Sequence, residues 1–126
     1  MKKVSKISDS EWEVMKVVWD HSPITSNKVV EILKPNTNWN PSTIYTLISR
    51  LVEKKAIEIE EGSFPYILRP LITRKECSKR EYLSFIKKVY DGSLNLMISN
   101  AVEDHELSDT EIEELKNILD RSEDRG

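Results

Sequence analysis

The spacing of apolar residues changes abruptly near the middle of the chain, and this change limits the possible fold more than any other feature. From position 44 to 52 they recur at the three- and four-residue intervals that place side chains on one face of a helix. The stripe consists of Ile44, Leu47, Ile48, Leu51 and Val52. Directly afterwards, residues 57–60 alternate apolar and charged, residues 61–63 read as a turn, and residues 64–68 form a second apolar run. The pattern predicts an amphipathic helix followed by a β-hairpin, with Pro65 confining the second strand to an edge or breaking its pairing.

Three helix starts carry the same signal, a capping Ser or Thr followed three residues later by Glu. The pairs are Ser8 with Glu11, Thr73 with Glu76, and Ser108 with Glu111. We predict a first helix from about Asp9 to Trp19, and a second that begins near Thr25 or Ser26 and ends before Pro35. Asn40 followed by Pro41 opens the third helix, because proline suits the first helical position.

Three helices followed by a hairpin is the order of a winged helix-turn-helix, in which the third helix enters the major groove of DNA. We therefore assign residues 1–72 to a winged-helix DNA-binding domain and residues 73–126 to a helical dimerisation domain. In the second part, helices are predicted from Thr73 to about Gly92, from Ser93 to about Val102, and after Ser108. The predicted fold class is mainly α with a small β-hairpin.

The exposed face of the third helix carries short hydroxyls, one aromatic ring and one guanidinium rather than the Glu and Lys of an ordinary solvated face. Hydroxyls bond phosphates or base edges, threonine methyls contact thymine methyls, and Arg binds guanine or phosphate with two hydrogen bonds. We predict contact with double-stranded DNA here. The predicted residues are Asn40, Ser42, Thr43, Tyr45, Thr46, Ser49 and Arg50.

Charge is distributed unevenly within a net charge of −3. Residues 1–74 hold eleven Lys or Arg against nine Asp or Glu, whereas residues 75–126 hold eight against thirteen. The asymmetry places a DNA-binding surface in the first part of the chain. The alternative is a winged-helix protein-interaction module without DNA binding, since a fold does not fix a function. Such a module would carry apolar anchors on its third helix.

Apolar residues of the C-terminal helices have no evident core to fill, so we predict that they pair two subunits as a homodimer. These residues are Tyr82, Phe85, Ile86, Val89, Leu115 and Leu119. The three tryptophans, in contrast, are predicted to pack in the core of the first domain, because single-strand binding would require exposed rings in a basic groove.

The sequence predicts no enzyme, no cofactor and no metal site. Cys77 is the only cysteine, and it falls where a buried, inert thiol is expected. His21 and His105 lack partner ligands at metal spacing. No apolar run approaches the length of a membrane span and no signal core follows the N-terminus, so we expect no membrane insertion and a cytoplasmic location.

Four segments together resemble the penicillinase-repressor (BlaI/MecI) family of bacterial winged-helix repressors. They are Ile7–Met15 (ISDSEWEVM), Trp39–Leu51 (WNPSTIYTLISRL), Val89–Leu94 (VYDGSL) and Glu111–Leu115 (EIEEL). The resemblance covers nearly the whole chain, and the second segment is the most specific. It implies a homodimer on a palindromic operator that represses genes of β-lactam resistance or related cell-wall functions.

The same resemblance implies that repression ends when a membrane sensor triggers proteolysis, which adds a sensor-linked protease to the partners. Relatives are cut after Asn and before a bulky apolar residue, and the corresponding bond here joins Asn100 to Ala101.

The chain also departs from its relatives, which often have Lys at position 42 and Arg at position 45. Ser42 and Tyr45 make this DNA-facing surface less basic. The hairpin looks shorter than in relatives and carries Glu58, Glu60 and Glu61, which argues against a role as a phosphate clamp.

Overall fold

The structure, a computed structural model, describes residues 6–124. Residues 1–5 and 125–126, the outermost parts of the two predicted domains, lie outside the described residues. The chain divides into two compact units, Met1–Ser78 and Lys79–Gly126. The elements in chain order are α1 (Asp9–His21), β1 (Ile24–Thr25), α2 (Ser26–Leu33), α3 (Pro41–Glu53), β2 (Ile57–Ile59), β3 (Ile67–Pro70), α4 (Arg74–Tyr90), α5 (Leu94–Glu103) and α6 (Asp109–Asp124). The prediction of a mainly α fold with a small β component is confirmed.

The helices of the first unit begin where the capping residues predict. Ser8 N donates to Glu11 Oε1 at 2.8 Å and Glu11 N donates to Ser8 Oγ at 3.2 Å, which closes the capping box of α1. Thr25 Oγ1 accepts from Lys28 N at the start of α2. Helix α2 ends at Leu33 in a 3-10 turn, because Pro35 cannot donate within a helix.

The sheet differs from the predicted hairpin. It has three strands in the order β1-β3-β2, and the second predicted strand, residues 64–68, is wrong in position because β3 runs from Ile67 to Pro70. Leu68 is paired with Ile24 on one side and with Ile59 on the other. β3 is therefore the central strand and not an edge strand. Pro65 lies before β3, and Pro70, the last residue of β3, is paired with Ile57.

One hydrophobic core joins the three helices and the sheet of the first unit. Val14, Met15, Ile44, Leu51 and Leu68 are fully buried in it. Removing such a side chain to Ala would cost about 2–5 kcal/mol of unfolding free energy. The position and orientation of α3 are therefore fixed by its buried face.

The tryptophans pack against this core, as predicted. Trp12, Trp19 and Trp39 are partly buried there, and Trp12 meets Trp19 edge-to-face with ring centroids 5.5 Å apart. Trp19 Nε1 donates to Ile72 O at 2.9 Å, which satisfies the polar edge of the ring. The predicted burial of Cys77 is also confirmed, at 5% exposure.

The second unit consists of helices that expose many large apolar side chains. Helix α4 ends at Tyr90 and is followed by the left-handed residues Asp91 and Gly92. Ser93 Oγ caps α5 by accepting from Leu96 N at 3.1 Å. At α6, the Ser108 backbone N–H and then its hydroxyl hold the pKa of Glu111 below its usual value. None of the helices within residues 6–124 has the length and hydropathy needed to cross a bilayer.

Candidate nucleic-acid interface

Helix α3 has one buried face and one exposed face, as its sequence periodicity predicts. Ile44, Leu47, Ile48 and Leu51 are buried in the core. The outer face of α3, by which we mean the exposed polar residues between positions 42 and 50, comprises Ser42, Thr43, Tyr45, Thr46, Ser49 and Arg50. Glu53, the last residue of α3, is also exposed. The six outer-face residues predicted to contact DNA thus share one surface, and Asn40 caps the helix at its N-terminal end.

Asn40 organises the start of this face through a single oxygen. Its Oδ1 accepts from Thr43 N at 3.0 Å, from Ser42 Oγ at 2.6 Å and from Thr43 Oγ1 at 3.0 Å. Both hydroxyl oxygens keep lone pairs that can accept from the amino group of adenine or cytosine. The cap therefore stabilises α3 and orients two hydroxyls at the end that a recognition helix presents to bases.

Thr46 and Arg50 continue the face one turn further along. Thr46 Oγ1 donates to Ser42 O at 2.9 Å, which fixes its rotamer and leaves its methyl group for apolar contact. With Ser42, Thr43 and Leu47 they line a shallow depression of about 290 Å³. No ion pair among residues 6–124 involves Arg50, so no acidic partner must be displaced before its guanidinium binds an acceptor.

Tyr45 extends the polar surface to α2. Its hydroxyl donates to Asn27 Oδ1 at 2.8 Å, and both side chains are exposed. Asn27 was not among the residues predicted from the sequence, because it is eighteen residues from Tyr45 and no local pattern connects the two. The one feature of the sequence that could have indicated Asn27 is its position in the first turn of α2, two residues after the Thr25 cap.

A partly buried ion pair holds the C-terminal end of α3 against the start of α1. Lys54 Nζ donates to Glu11 Oε1 and also to Lys6 O, the latter at 2.7 Å. Glu11 is 2% exposed, and burial alone raises the pKa of its carboxyl. Hydrogen bonds from Lys54 and Ser8 outweigh that effect, so the pKa of Glu11 lies below its usual value and the carboxylate stays ionised.

The hairpin is acidic and aromatic at its tip. Arg69 pairs with Glu60 at 2.8 Å, which neutralises one carboxylate, whereas Glu58 and Glu61 are exposed. Phe64 is 95% exposed and Tyr66 is 54% exposed. These charges would repel a phosphate backbone, which agrees with the sequence argument against a phosphate clamp.

The predicted dimerisation residues differ in how much of each side chain is exposed. Tyr82, Phe85, Val89 and Leu119 are each about half exposed or more, and Leu115 is partly buried. Ile86 is only 7% exposed within the single chain. Their role in pairing subunits stays a prediction, and Ile86 has the least surface to offer a partner.

The predicted cleavage bond lies inside α5. Asn100 and Ala101 are both partly buried, and their carbonyl oxygens accept from Asp104 N at 2.9 Å and from Glu106 N at 3.0 Å. A protease would have to open this turn first, because proteases bind extended backbone. Cleavage at this bond stays a prediction.

His, Cys, Asp and Glu side chains form no group of three that could hold a metal ion within residues 6–124. His21 and His105, considered as ligands in the sequence, are both exposed.

Comparison with known proteins gives a consistent result over nearly the full chain. The family model described as "Penicillinase repressor" matches residues 7–121. The chain is 38% identical over 125 residues to the penicillinase repressor of Bacillus licheniformis, covering 99% of this chain and 98% of that protein. It is 36% identical over 119 residues to the methicillin resistance regulatory protein MecI of Staphylococcus aureus (strain N315), covering 94% and 97%.

Two solved structures resemble a little more than half of the chain. One is the solution structure of the DNA-binding domain of the repressor BlaI, with a TM-score of 0.54 and 39% identity. The other is the Bacillus licheniformis BlaI monomer in complex with the blaP half-operator, with a TM-score of 0.52 and 39% identity. Each covers 60% of this chain and 93% of the solved chain.

Proposed function

The chain belongs to the penicillinase repressor family, and from that premise we propose that it is a transcriptional repressor that binds operator DNA through α3. The observation that carries the proposal is the outer face of α3, where ordered hydroxyls adjoin Arg50, which forms no ion pair with any residue from 6 to 124. A related BlaI structure is a complex with a half-operator, which supports the same use of this domain. A protein-interaction module would need apolar anchors on α3, and its outer face has only Tyr45, whose hydroxyl is hydrogen-bonded.

We propose that the regulated genes serve β-lactam resistance or a related cell-wall function. The support comes from the relatives, whose names are penicillinase repressor and methicillin resistance regulatory protein. Because a repressor of this kind must reach the chromosome of a bacterium, we place the protein in the cytoplasm. Neither repression nor DNA binding requires the chain to catalyse a reaction.

We propose further that residues 73–126 pair two subunits, so that two copies of α3 read the two halves of a palindrome. Exposed side chains of α4 and α6 support this, since Tyr82, Phe85, Val89 and Leu119 leave large apolar areas in contact with water in the single chain. Linking two half-site contacts raises affinity without any new contact, because the second binding event becomes intramolecular.

Relief of repression by a sensor-linked protease completes the proposal. Cutting between Asn100 and Ala101 would separate α6 and the end of α5 from α4, and so divide the predicted dimerisation surface. The half-sites would then be bound independently, and occupancy of the operator would fall although each α3 kept its own contacts.

The experiment is selection of duplexes from a random-sequence pool by the full-length protein, with excess non-specific DNA present. We expect enrichment of an inverted repeat whose half-sites are spaced by about one helical turn or a multiple of it, the spacing that a symmetric helix-turn-helix dimer requires. An Arg50→Ala variant should enrich that sequence less, since it loses a base-reading guanidinium. Failure of the wild-type chain to enrich any sequence would reject the proposed function and favour a protein partner.

A further inference from the structure

Asn27 and Tyr45 form an inter-helix contact on the exposed side of the first unit. Tyr45 Oη donates to Asn27 Oδ1 at 2.8 Å and thereby joins the first turn of α2 to the outer face of α3. Tyr45 is 40% exposed and Asn27 is also exposed. An exposed hydrogen bond adds little to stability, because water replaces either partner at small cost. The hydrogen bond between Tyr45 and Asn27 therefore contributes little to the stability of the fold.

The contact leaves the donor side of the Asn27 amide unused. The carboxamide oxygen accepts from Tyr45, and Asn27 Nδ2 donates to no other described residue. A carboxamide whose oxygen is held in place has its two N–H groups held in place as well, because the group is planar. Such a fixed pair of donors suits a ligand that only accepts hydrogen bonds, and a phosphodiester is one.

The position of Asn27 in the helix-turn-helix favours the DNA backbone over the bases. Helix α2 is the first helix of the motif, which crosses the backbone while the second helix enters the major groove. Asn27 is the second residue of α2, beyond the Thr25 cap, and lies beside the exposed Lys28. Lys28 pairs with Glu31 at 3.2 Å, so part of its charge is compensated and a neutral donor beside it becomes useful.

We propose that Asn27 donates from Nδ2 to a phosphodiester oxygen of the bound DNA, and that Tyr45 is a positioning residue that orients this amide. The inference rests on the proposed DNA-binding function and assigns α2 a part in it. It also gives Tyr45 a role through Asn27, distinct from direct contact with a base. The contact carries no sequence information, since every duplex offers the same phosphate.

A double-mutant cycle on the full-length protein tests the inference. The variants are Asn27→Ala, Tyr45→Phe and the double substitution. In the matched control, Ser49→Ala takes the place of Tyr45→Phe, because Ser49 lies on the same face of α3 as Tyr45, and it is measured alone and combined with Asn27→Ala. Affinity is measured for the duplex that the wild-type chain selects from a random pool and for a scrambled duplex of equal composition. We expect Asn27→Ala to weaken binding to both duplexes by about threefold to tenfold per subunit, the range of one neutral hydrogen bond.

Tyr45→Phe should give a smaller loss, and it should add no loss in the Asn27→Ala background, because its effect passes through the amide. The Ser49→Ala and Asn27→Ala effects should multiply independently. The slope of affinity against salt should remain that of the wild type in Asn27→Ala, since a neutral donor releases no counterion. Thermal unfolding should be unchanged in all variants, because the substituted side chains are exposed.

Asn27→Asp separates a DNA contact from a purely structural brace. Aspartate keeps an acceptor for the Tyr45 hydroxyl but replaces the amide donors by a negative charge. At a salt concentration that screens the added charge, a phosphate contact predicts that Asn27→Asp binds at least as weakly as Asn27→Ala, relative to the wild type, whereas a brace predicts binding closer to the wild type.

Two results would overturn the inference and leave the proposed function intact. One is binding by Asn27→Ala equal to that of the wild type. The other is a Tyr45→Phe loss that is as large in the Asn27→Ala background as in the wild type, since Tyr45 would then act on DNA by itself. If the wild-type chain selects no duplex at all, the proposed function fails first and the inference fails with it.

Discussion

Replacing Lys54 by Met should destabilise the first unit strongly, because it leaves the Glu11 carboxylate buried without its cation. Breaking a buried ion pair by removing one partner costs about 3–5 kcal/mol. Two features reduce this figure: the Lys54 side chain is 25% exposed, so water already screens part of the interaction, and Ser8 N still donates to the carboxylate. We expect a loss of about 2–3 kcal/mol in the free energy of unfolding.

The measurement is urea unfolding of the full-length protein followed by tryptophan fluorescence. All three tryptophans lie at or before position 39, so the signal reports on the first unit. The matched control is Lys16→Met in α1, which removes an exposed pair with Glu13 at 3.3 Å and should cost less than about 1 kcal/mol. Adding Glu11→Gln to Lys54→Met should recover part of the loss, because glutamine completes a capping box without a buried charge.

A Lys54→Met variant as stable as the Lys16→Met control would refute this reasoning. So would a double variant whose loss equals the sum of the two single losses, because residues that act through one contact are not additive.

Three further predictions concern acid stability, dimerisation and induction. Because the pKa of Glu11 is lowered, its ionised form stabilises the fold above pH 4.5, and this contribution disappears as the pH falls through the folded-state pKa. The free energies of unfolding of the wild type and Glu11→Gln, measured in urea, should therefore converge in acid. A difference that persists in acid would contradict this prediction. Phe85→Asp should shift the protein from dimer to monomer in sedimentation, whereas the exposed Lys88→Asp should not, and a stable Phe85→Asp dimer would locate the interface elsewhere. On β-lactam challenge, mass spectrometry should find a fragment ending at Asn100, and full derepression with an intact chain would reject cleavage before Ala101.

Helix starts were predictable because their chemistry is local. Ser8 with Glu11 and Ser108 with Glu111 hydrogen-bond across three residues, so the sequence alone identifies both partners. The outer face of α3 was predictable for a related reason, since helical periodicity separates Ile44 from its exposed neighbours without knowledge of what packs on it.

Contacts between distant segments were not predictable from local patterns. Glu11 was identified as a capping residue, but its burial and its pairing with Lys54, 43 residues away, follow from how α1 and α3 pack. The Tyr45–Asn27 hydrogen bond is hidden in the same way.

The start of β3 and its pairing with β1 were also not predictable from the sequence. The apolar run at residues 64–68 predicted a strand there, yet Ser63 Oγ accepts from Ile67 N at 3.0 Å and extends the turn to that point. The β3 strand therefore starts later than its apolar run, and it gains a second partner, β1, which is too short to leave a periodic signal.

The preference of the full-length protein for its selected duplex over a scrambled duplex tests most directly whether the outer face of α3 reads DNA. Fluorescence anisotropy gives this affinity ratio for the wild type, for Arg50→Ala, and for Arg121→Ala on α6, which removes the same charge outside the proposed interface. We predict that Arg50→Ala lowers the ratio by about 5- to 150-fold per subunit, the equivalent of one base-reading contact in each half-site, while Arg121→Ala leaves it unchanged. An unchanged ratio in a folded Arg50→Ala protein would contradict the account.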